Sequence, residues 1–521
     1  MTTTRTTQPY LTQTVHTAAR TRPDDDCLIC GDRTSTNVEF RDRIARLAGA
    51  FQRLGIGPDD RIAMLSLNSD RLIEAFYACF WSGSVANPIN SRWNPNEMAY
   101  AINDCGATAL LVDDTFAPLA ATMLAEVPSL TVVIFSGDGD TPTDMLSFES
   151  LVAEGPAVPD AGRSGDDLAM VLYTGGTTGA SKGVMLSHTN LVTASLGMLA
   201  AGCGTGDVYL HAPPLFHIAG VQLLVGHFLS ARGPQIIPPA FDPVGILRDI
   251  QQHRVTDVLL VPTMMQMVLT HPERANYDLG SLQRIYYGAA PMTDALLRTA
   301  MAAVPDAGFI QGYGMTETAL TVMLPAYYYT GEGLRLEKTG SIGKVTSTAE
   351  LAIRDAEGNE VPPGTVGEIS VRSASVMVGY WGRPDLTAET IRDGWLYSGD
   401  GGYVDDDGFV YLVDRIKDMI VSGAENVYSS EVEAALVTHP AVAMAAVIGV
   451  PDEKWGERVH AVIALRPDTS TTEAELIAHA KERIAAYKCP RTVEFVDALP
   501  ISAAGKVLKN ELRTRHQEQT P

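Results

Sequence analysis

The stretch from 168 to 200 constrains this chain more than any other: LAMVLYT (168 to 174) runs into GGTTGASKG (175 to 183), and TNLVTASLGMLAA follows His188. The first segment reads as a buried strand and the last has helical spacing, so the glycine-rich piece is expected to be a strand-to-helix loop. Such a loop suits a phosphate. Gly175, Gly176 and Gly179 let backbone N–H groups approach an anion closely, Thr174, Thr177, Thr178 and Ser181 add hydroxyl donors, and Lys182 adds a charge. The G-x-x-x-x-G-K-S/T spacing of a P-loop is not met, because Lys182 follows Ser181 and precedes Gly183. The bland alternative is a surface loop that is merely rich in Gly, Ser and Thr.

From residue 36 to about 400 the chain alternates helical and extended patterns: ARLAGAFQRLG (46 to 56) is amphipathic, RIAMLSL (61 to 67) is extended, and Asn94–Pro95 signals a helix start. Alternation of this kind predicts parallel sheets covered by helices, with ligands near the carboxyl ends of strands. The texture changes at GGYVDDDGFVYLVDRIKD (401 to 418), where D-D-D-G marks a hairpin turn, and the last hundred or so residues suffice for a small α+β domain. The expected architecture is α/β: a large N-terminal domain, 1–416, of helix-covered, mainly parallel sheets, and a small mobile C-terminal α+β domain, 417–521, with the boundary near Lys417.

A length of 521 residues allows two or more domains, and 45% apolar with 19% charged residues describes a folded globular chain. Thirty-nine basic against 62 acidic residues leave a net charge of -23, which disfavours nucleic acid or an anionic membrane as partner, so a polyanionic ligand needs local donors. The apolar runs are too short to span a bilayer and the N-terminus lacks the apolar core of a signal peptide; a cytoplasmic protein is expected. The six cysteines are scattered, and Cys27 and Cys30 form a lone CxxC that reads better as an incidental pair on a short strand than as a metal site.

The 173 to 188 stretch resembles the signature loop of the adenylate-forming superfamily, which includes acyl- and aryl-CoA synthetases, luciferases and the adenylation domains of peptide synthetases. Against the family pattern Y/F-T-S-G-S/T-T-G-x-P-K-G, Gly176 stands at the usual serine and Ser181 at the usual proline. Three further segments follow in family order, so that the resemblance covers nearly the whole chain. FIQGYGMTET (309 to 318) reads as a strand entering a glycine-punctuated loop. There the resemblance implies that Tyr313 packs on adenine with Gln311 and Gly312 nearby, that Thr316 contacts phosphate, and that Glu317 helps to hold Mg²⁺ together with Thr174. Gly288, Ala289 and Ala290 are likewise placed against the nucleotide.

In WLYSGDGGYVDDDGFVYLVDRIKD (395 to 418), Asp400 matches the aspartate that accepts hydrogen bonds from ribose, Arg415 an arginine contacting ribose and phosphate, and Lys417 the interdomain hinge. In LPISAAGKVLKNELR (499 to 513), Pro500, Ser502, Gly505 and Lys506 match P-x-S/T-x-x-G-K, whose lysine reaches the site during adenylation. Lys506, Thr316, Glu317, His217 and Arg415 are thus the implied catalytic residues. His217 and Gly220 match an H-x-x-G segment beside the acyl pocket, Gly423 a position passed closely by pantetheine, and Trp455 and Arg92 positions near the CoA nucleotide. Val221, Tyr287, Gly288, Ala289, Gly312, Gly314, Met315 and Val322 complete the implied acyl pocket, although several could simply pack the core.

The implied activity is conversion of a medium apolar or aromatic acid to acyl-AMP with ATP and Mg²⁺, then transfer to coenzyme A, with a homodimer as the assembly considered. Transfer to a carrier protein or another small nucleophile is the alternative, and a non-catalytic ligand-binding relative the remote one.

Overall fold

A computed structural model describes residues 8–174, 181–204, 206–230, 233–290, 292–422, 425–452, 454–501 and 507–518. Among these the chain forms two compact units: the described residues of 8–174, 181–350 and 371–396 make the larger, and those of 351–370 and 397–518 the smaller.

The larger unit contains two mainly parallel sheets, as the alternating pattern predicts. One has eight strands, in the order Gly379–Tyr380, Lys182–Ser187, Leu168–Thr174, Val85–Pro88, Arg61–Leu65, Ala109–Val112, Val132–Phe135 and Leu146–Ser147. The last six run parallel, while Lys182–Ser187 is antiparallel to both of its neighbours. In the other sheet, of nine strands, Arg284–Gly288 and Gly308–Met315 lie parallel and Ala319–Leu324 returns antiparallel to the latter. Helices start where the sequence supplies caps. Asn94 and Glu97 form a capping box with Pro95 at the first helical position, opening Pro95–Asp104, and Ser187 with Asn190 opens His188–Ala200. The apolar core includes Phe40, Tyr77 and Phe228, whose rings lie 4.6 to 5.4 Å apart. Cys27 and Cys30 are buried thiols on the short strand Asp26–Cys30, where the sequence predicts a short strand.

Two local expectations are corrected. The element after the glycine-rich residues is a strand and not a helix: Leu168–Thr174 and Lys182–Ser187 form an antiparallel pair in which Thr174 faces Lys182, and the helix starts only at His188. The apolar run Val184, Met185 and Leu186 lies within that second strand. In FIQGYGMTET the glycines lie within the strand, and the loop is the three residues Thr316–Thr318, closed by the Met315–Ala319 pair with Ala319 at φ 56°.

In the smaller unit a sheet of Glu425–Val427, Ile420–Ser422, Gly456–Leu465 and Val442–Asp452 is extended by Thr492–Val496, parallel to Gly456–Leu465. One face packs Val459, Ala461 and Ile463 against helices Ser429–Val437 and Glu473–Lys481, and the other packs Ile448 and Val462 against Leu512 of helix Lys509–Glu518. This is the α+β arrangement expected for the C-terminal region.

Candidate active site

Both signature segments of the larger unit end in hairpins, and the chain between Met377 and Trp381 is bonded to each. Its Met377 N–H donates to the Glu317 carbonyl (2.8 Å), Val378 N–H to that of Met185 (2.9 Å), and Trp381 N–H to that of Gly183 (2.7 Å). Tyr380, from this segment, extends between the two functional ends. Its hydroxyl donates to Glu317 Oε1 at 2.8 Å, and Lys182 Nζ lies 5.3 Å from its ring centroid. Tyr380 and Glu317 are both buried. Burial first, then the Glu317 charge, pushes the phenol pKa far above its ordinary value, so Tyr380 remains a donor. Lys182 is placed beside Thr174 by strand register, so a cation, a hydroxyl and a buried carboxylate are held in one region of the unit. The sequence reading missed Tyr380. Its only signal is an aromatic ring within G-Y-W-G (379 to 382), which reads equally well as a turn.

Close backbone approach shapes the neighbouring strands. Gly288 and Gly312 are register partners, and a Cβ on Gly288 would lie 2.2 Å from the Gly312 carbonyl oxygen. A Cβ on Gly314 would lie 1.8 Å from the Ala319 oxygen, so neither glycine admits a side chain. Ala289, next along, has φ 63°, a left-handed conformation costing a non-glycine residue about 1–3 kcal/mol and favoured at ligand-binding segments. Ala290 follows it, half-exposed. Gln311 accepts a hydrogen bond from the Tyr287 hydroxyl (3.3 Å), and Tyr313 and Thr316 are half-exposed around the hairpin. Val221, Tyr287 and Val322 are buried in packed interior, and Gly220 sits against the Pro214 carbonyl, where a Cβ would come within 2.9 Å. The His217 ring lies 4.4 Å from that of Phe216, tilted by 51°, just before helix Ile218–Ser230. Arg92 donates its N–H to Asn90 Oδ1 in another part of the same unit.

In the smaller unit Asp400 and Arg415 are register partners on antiparallel strands and form an ion pair, with Asp400 buried and its N–H bonded to Ser398 Oγ (3.1 Å). Trp455 lies under two cations, Arg491 at 4.1 Å and Lys454 at 4.8 Å from the ring. Gly175, Gly176, Thr177, Thr178, Gly179, Gly423 and Lys506 lie outside the described residues.

The AMP-binding enzyme pattern matches residues 15–381, and that of the AMP-binding enzyme C-terminal domain matches residues 431–506. The chain belongs to the AMP-binding enzyme family. This family member is 38% identical over 504 residues to a feruloyl-CoA synthase from Amycolatopsis sp, covering 95% of this chain and 97% of that one. It resembles the ATP-bound structure of MatB from Rhodopseudomonas palustris with a TM-score of 0.86 at 31% identity, over 97% of this chain and 100% of that one. It also resembles o-succinylbenzoate CoA synthetase from Bacillus subtilis in complex with its acyl-adenylate, at TM-score 0.84 and 30% identity over 97% and 98% of the two chains.

Proposed function

We propose that this AMP-binding enzyme joins a carboxylic acid to coenzyme A at the expense of ATP, in two steps. In the first, a carboxylate oxygen attacks the α-phosphorus, and the bond from phosphorus to the bridging oxygen of pyrophosphate breaks. In the second, the CoA sulfur attacks the acyl carbon, its proton passes to solvent, and the C–O bond to AMP breaks. The observation that carries this reading is the Lys182–Tyr380–Glu317 arrangement, which couples the two phosphate-motif hairpins through one buried phenol.

Lys182 supplies positive charge to the phosphates, and Lys506, assigned by its motif, neutralises the carboxylate and α-phosphate as they meet. Asp400, held by Arg415, accepts from the ribose hydroxyls. Glu317 fits Mg²⁺, because Tyr380 fixes one carboxylate oxygen and this cation usually takes only one or two carboxylates beside phosphate oxygens and waters. With Thr174 as a second oxygen donor, Mg²⁺ bound there would screen the charge of the triphosphate.

The acid is a medium apolar or aromatic one. Gly312, Gly314, Met315 and Ala289 offer small or apolar surface, and the similarity to a feruloyl-CoA synthase supports an aryl acid. The stacked Trp455, with two cations on its ring, favours an aromatic, anionic co-substrate such as the CoA nucleotide. Lys417 serves as the hinge between 1–416 and 417–521, and the cytoplasm is the compartment that holds both ATP and CoA. A panel of aromatic and medium-chain acids, assayed for pyrophosphate release with ATP and for products by mass spectrometry, tests the proposal. Acyl-AMP without thiol and acyl-CoA with CoA are expected; adenylation with no thioester at any CoA concentration would overturn the second step.

A further inference from the structure

The smaller unit carries a cluster that the adenylation chemistry does not use. His460, on strand Gly456–Leu465, pairs in register with Thr492 on strand Thr492–Val496, so Glu494 projects from the same face two residues on. Helix Lys509–Glu518 covers this face. Leu512 packs with Val462 and Ile448, and one turn later the helix presents His516 to both side chains. His516 Nε2 lies 2.8 Å from Glu494 Oε2, His460 Nε2 lies 3.8 Å from the same oxygen, and the two imidazole rings are 4.3 Å apart. One ligand atom from each residue falls within 4.8 Å of the others.

We propose that His460, Glu494 and His516 form a binding site for a divalent transition metal, with Zn²⁺ the best match, that ties the C-terminal helix to the sheet. Two imidazoles and one carboxylate are a common zinc donor set, and tetrahedral Zn²⁺ with bonds of about 2.0–2.2 Å wants its ligand atoms roughly 3.4 Å apart. The observed separations straddle that value, so small side-chain rotations close the site. A second observation points the same way: His460 is buried and its Nε2 makes no hydrogen bond with a described residue, Glu494 Oε2 lying 3.8 Å away. Orphaned buried atoms of this kind are costly unless a ligand satisfies them. The His460 ring is also set for coordination, because its Nδ1 shares a 2.7 Å hydrogen bond with Thr492 Oγ1, which turns Nε2 to the cluster. The neighbouring Arg458 is directed to Asp452 and the Pro451 carbonyl.

The ion would fasten a helix that begins two residues after Val507, whose bridge to Ile501 brackets residues 502–506. The test uses the full-length chain without an affinity tag, stripped with chelator and titrated with Zn²⁺ by calorimetry, with Co²⁺ absorption as a report of coordination geometry. One tight equivalent per chain, a tetrahedral cobalt spectrum and a higher Tm with Zn²⁺ are expected. His516→Gln and Glu494→Gln, each confirmed folded by circular dichroism, should lose affinity by at least about a hundredfold, and Thr492→Val by roughly tenfold as a loss of ring orientation. His479→Ala, at the half-buried His439–His479 ring pair, should bind as the parent does. Absence of submicromolar binding, or binding unchanged in both His516→Gln and Glu494→Gln, would overturn the site and leave the cluster as an ion pair between His516 and Glu494.

Discussion

Tyr380→Phe removes a single oxygen from the candidate active site while keeping the ring on which Lys182 rests. The lost hydrogen bond runs 2.8 Å to Glu317 Oε1, and both side chains are buried. A hydrogen bond to a charged group contributes about 1.5–3 kcal/mol, and removing one partner leaves the other unsatisfied. If Glu317 must be held to meet the metal–nucleotide, that energy appears as a fall of roughly 10- to 150-fold in kcat/KM for acyl-AMP formation, since about 1.4 kcal/mol is tenfold. Pyrophosphate exchange with saturating acid measures it, and a Mg²⁺ titration separates a positioning role from a purely structural one. The half-saturating Mg²⁺ concentration should rise in Tyr380→Phe and rise further in Tyr380→Leu, which also loses the ring beneath Lys182. Because the phenol stays protonated, the defect should be the same from mildly acidic to mildly alkaline pH. Mg²⁺ titrations of Tyr380→Phe and parent that coincide, with exchange rates within twofold, would refute the reasoning.

Lys506→Ala should lower adenylation by on the order of a hundredfold or more while leaving thioester formation from supplied acyl-AMP intact, as two separate half-reaction assays would show. Lys417→Pro should retain adenylation and block transfer; rapid-quench assays that find unimpaired acyl-AMP consumption would remove the hinge. If the chain turns at Lys417 as proposed, the hydrogen bonds from Ser429 Oγ (2.6 Å) and Ser430 N–H (3.1 Å) to Asp414 Oδ2 oppose the turn, and Asp414→Ala should speed acyl-AMP consumption relative to its formation in the same experiment. His188, His211 and His227 are buried with pKa values lowered to about 4, 3 and 4, chiefly by desolvation. The unfolded chain therefore binds more protons below its ordinary histidine pKa of about 6.5, and Tm should fall as pH drops from about 6.5 toward 4; a flat profile in stepped-pH melts would contradict their neutral burial.

Local chemistry made much of this protein legible in the sequence. Asn94, Pro95 and Glu97 announce a helix because capping groups act within one turn, and D-D-D-G announces the hairpin that puts Asp400 opposite Arg415 because a tight turn sets register. The phosphate motifs around Lys182 and Glu317 were readable for the same reason. What the sequence could not decide is which distant segment meets them. Lys182–Ser187 forms a strand because Leu168–Thr174 and Gly379–Tyr380 flank it, and strand pairing over nearly two hundred residues leaves no local mark. Tyr380 joins Lys182 to Glu317, and His516 reaches His460 and Glu494, through packing of elements far apart in the chain. A lone tyrosine between glycines, or a histidine near the end of a polar helix, has no chemistry of its own until burial removes water and fixes a partner at hydrogen-bond distance.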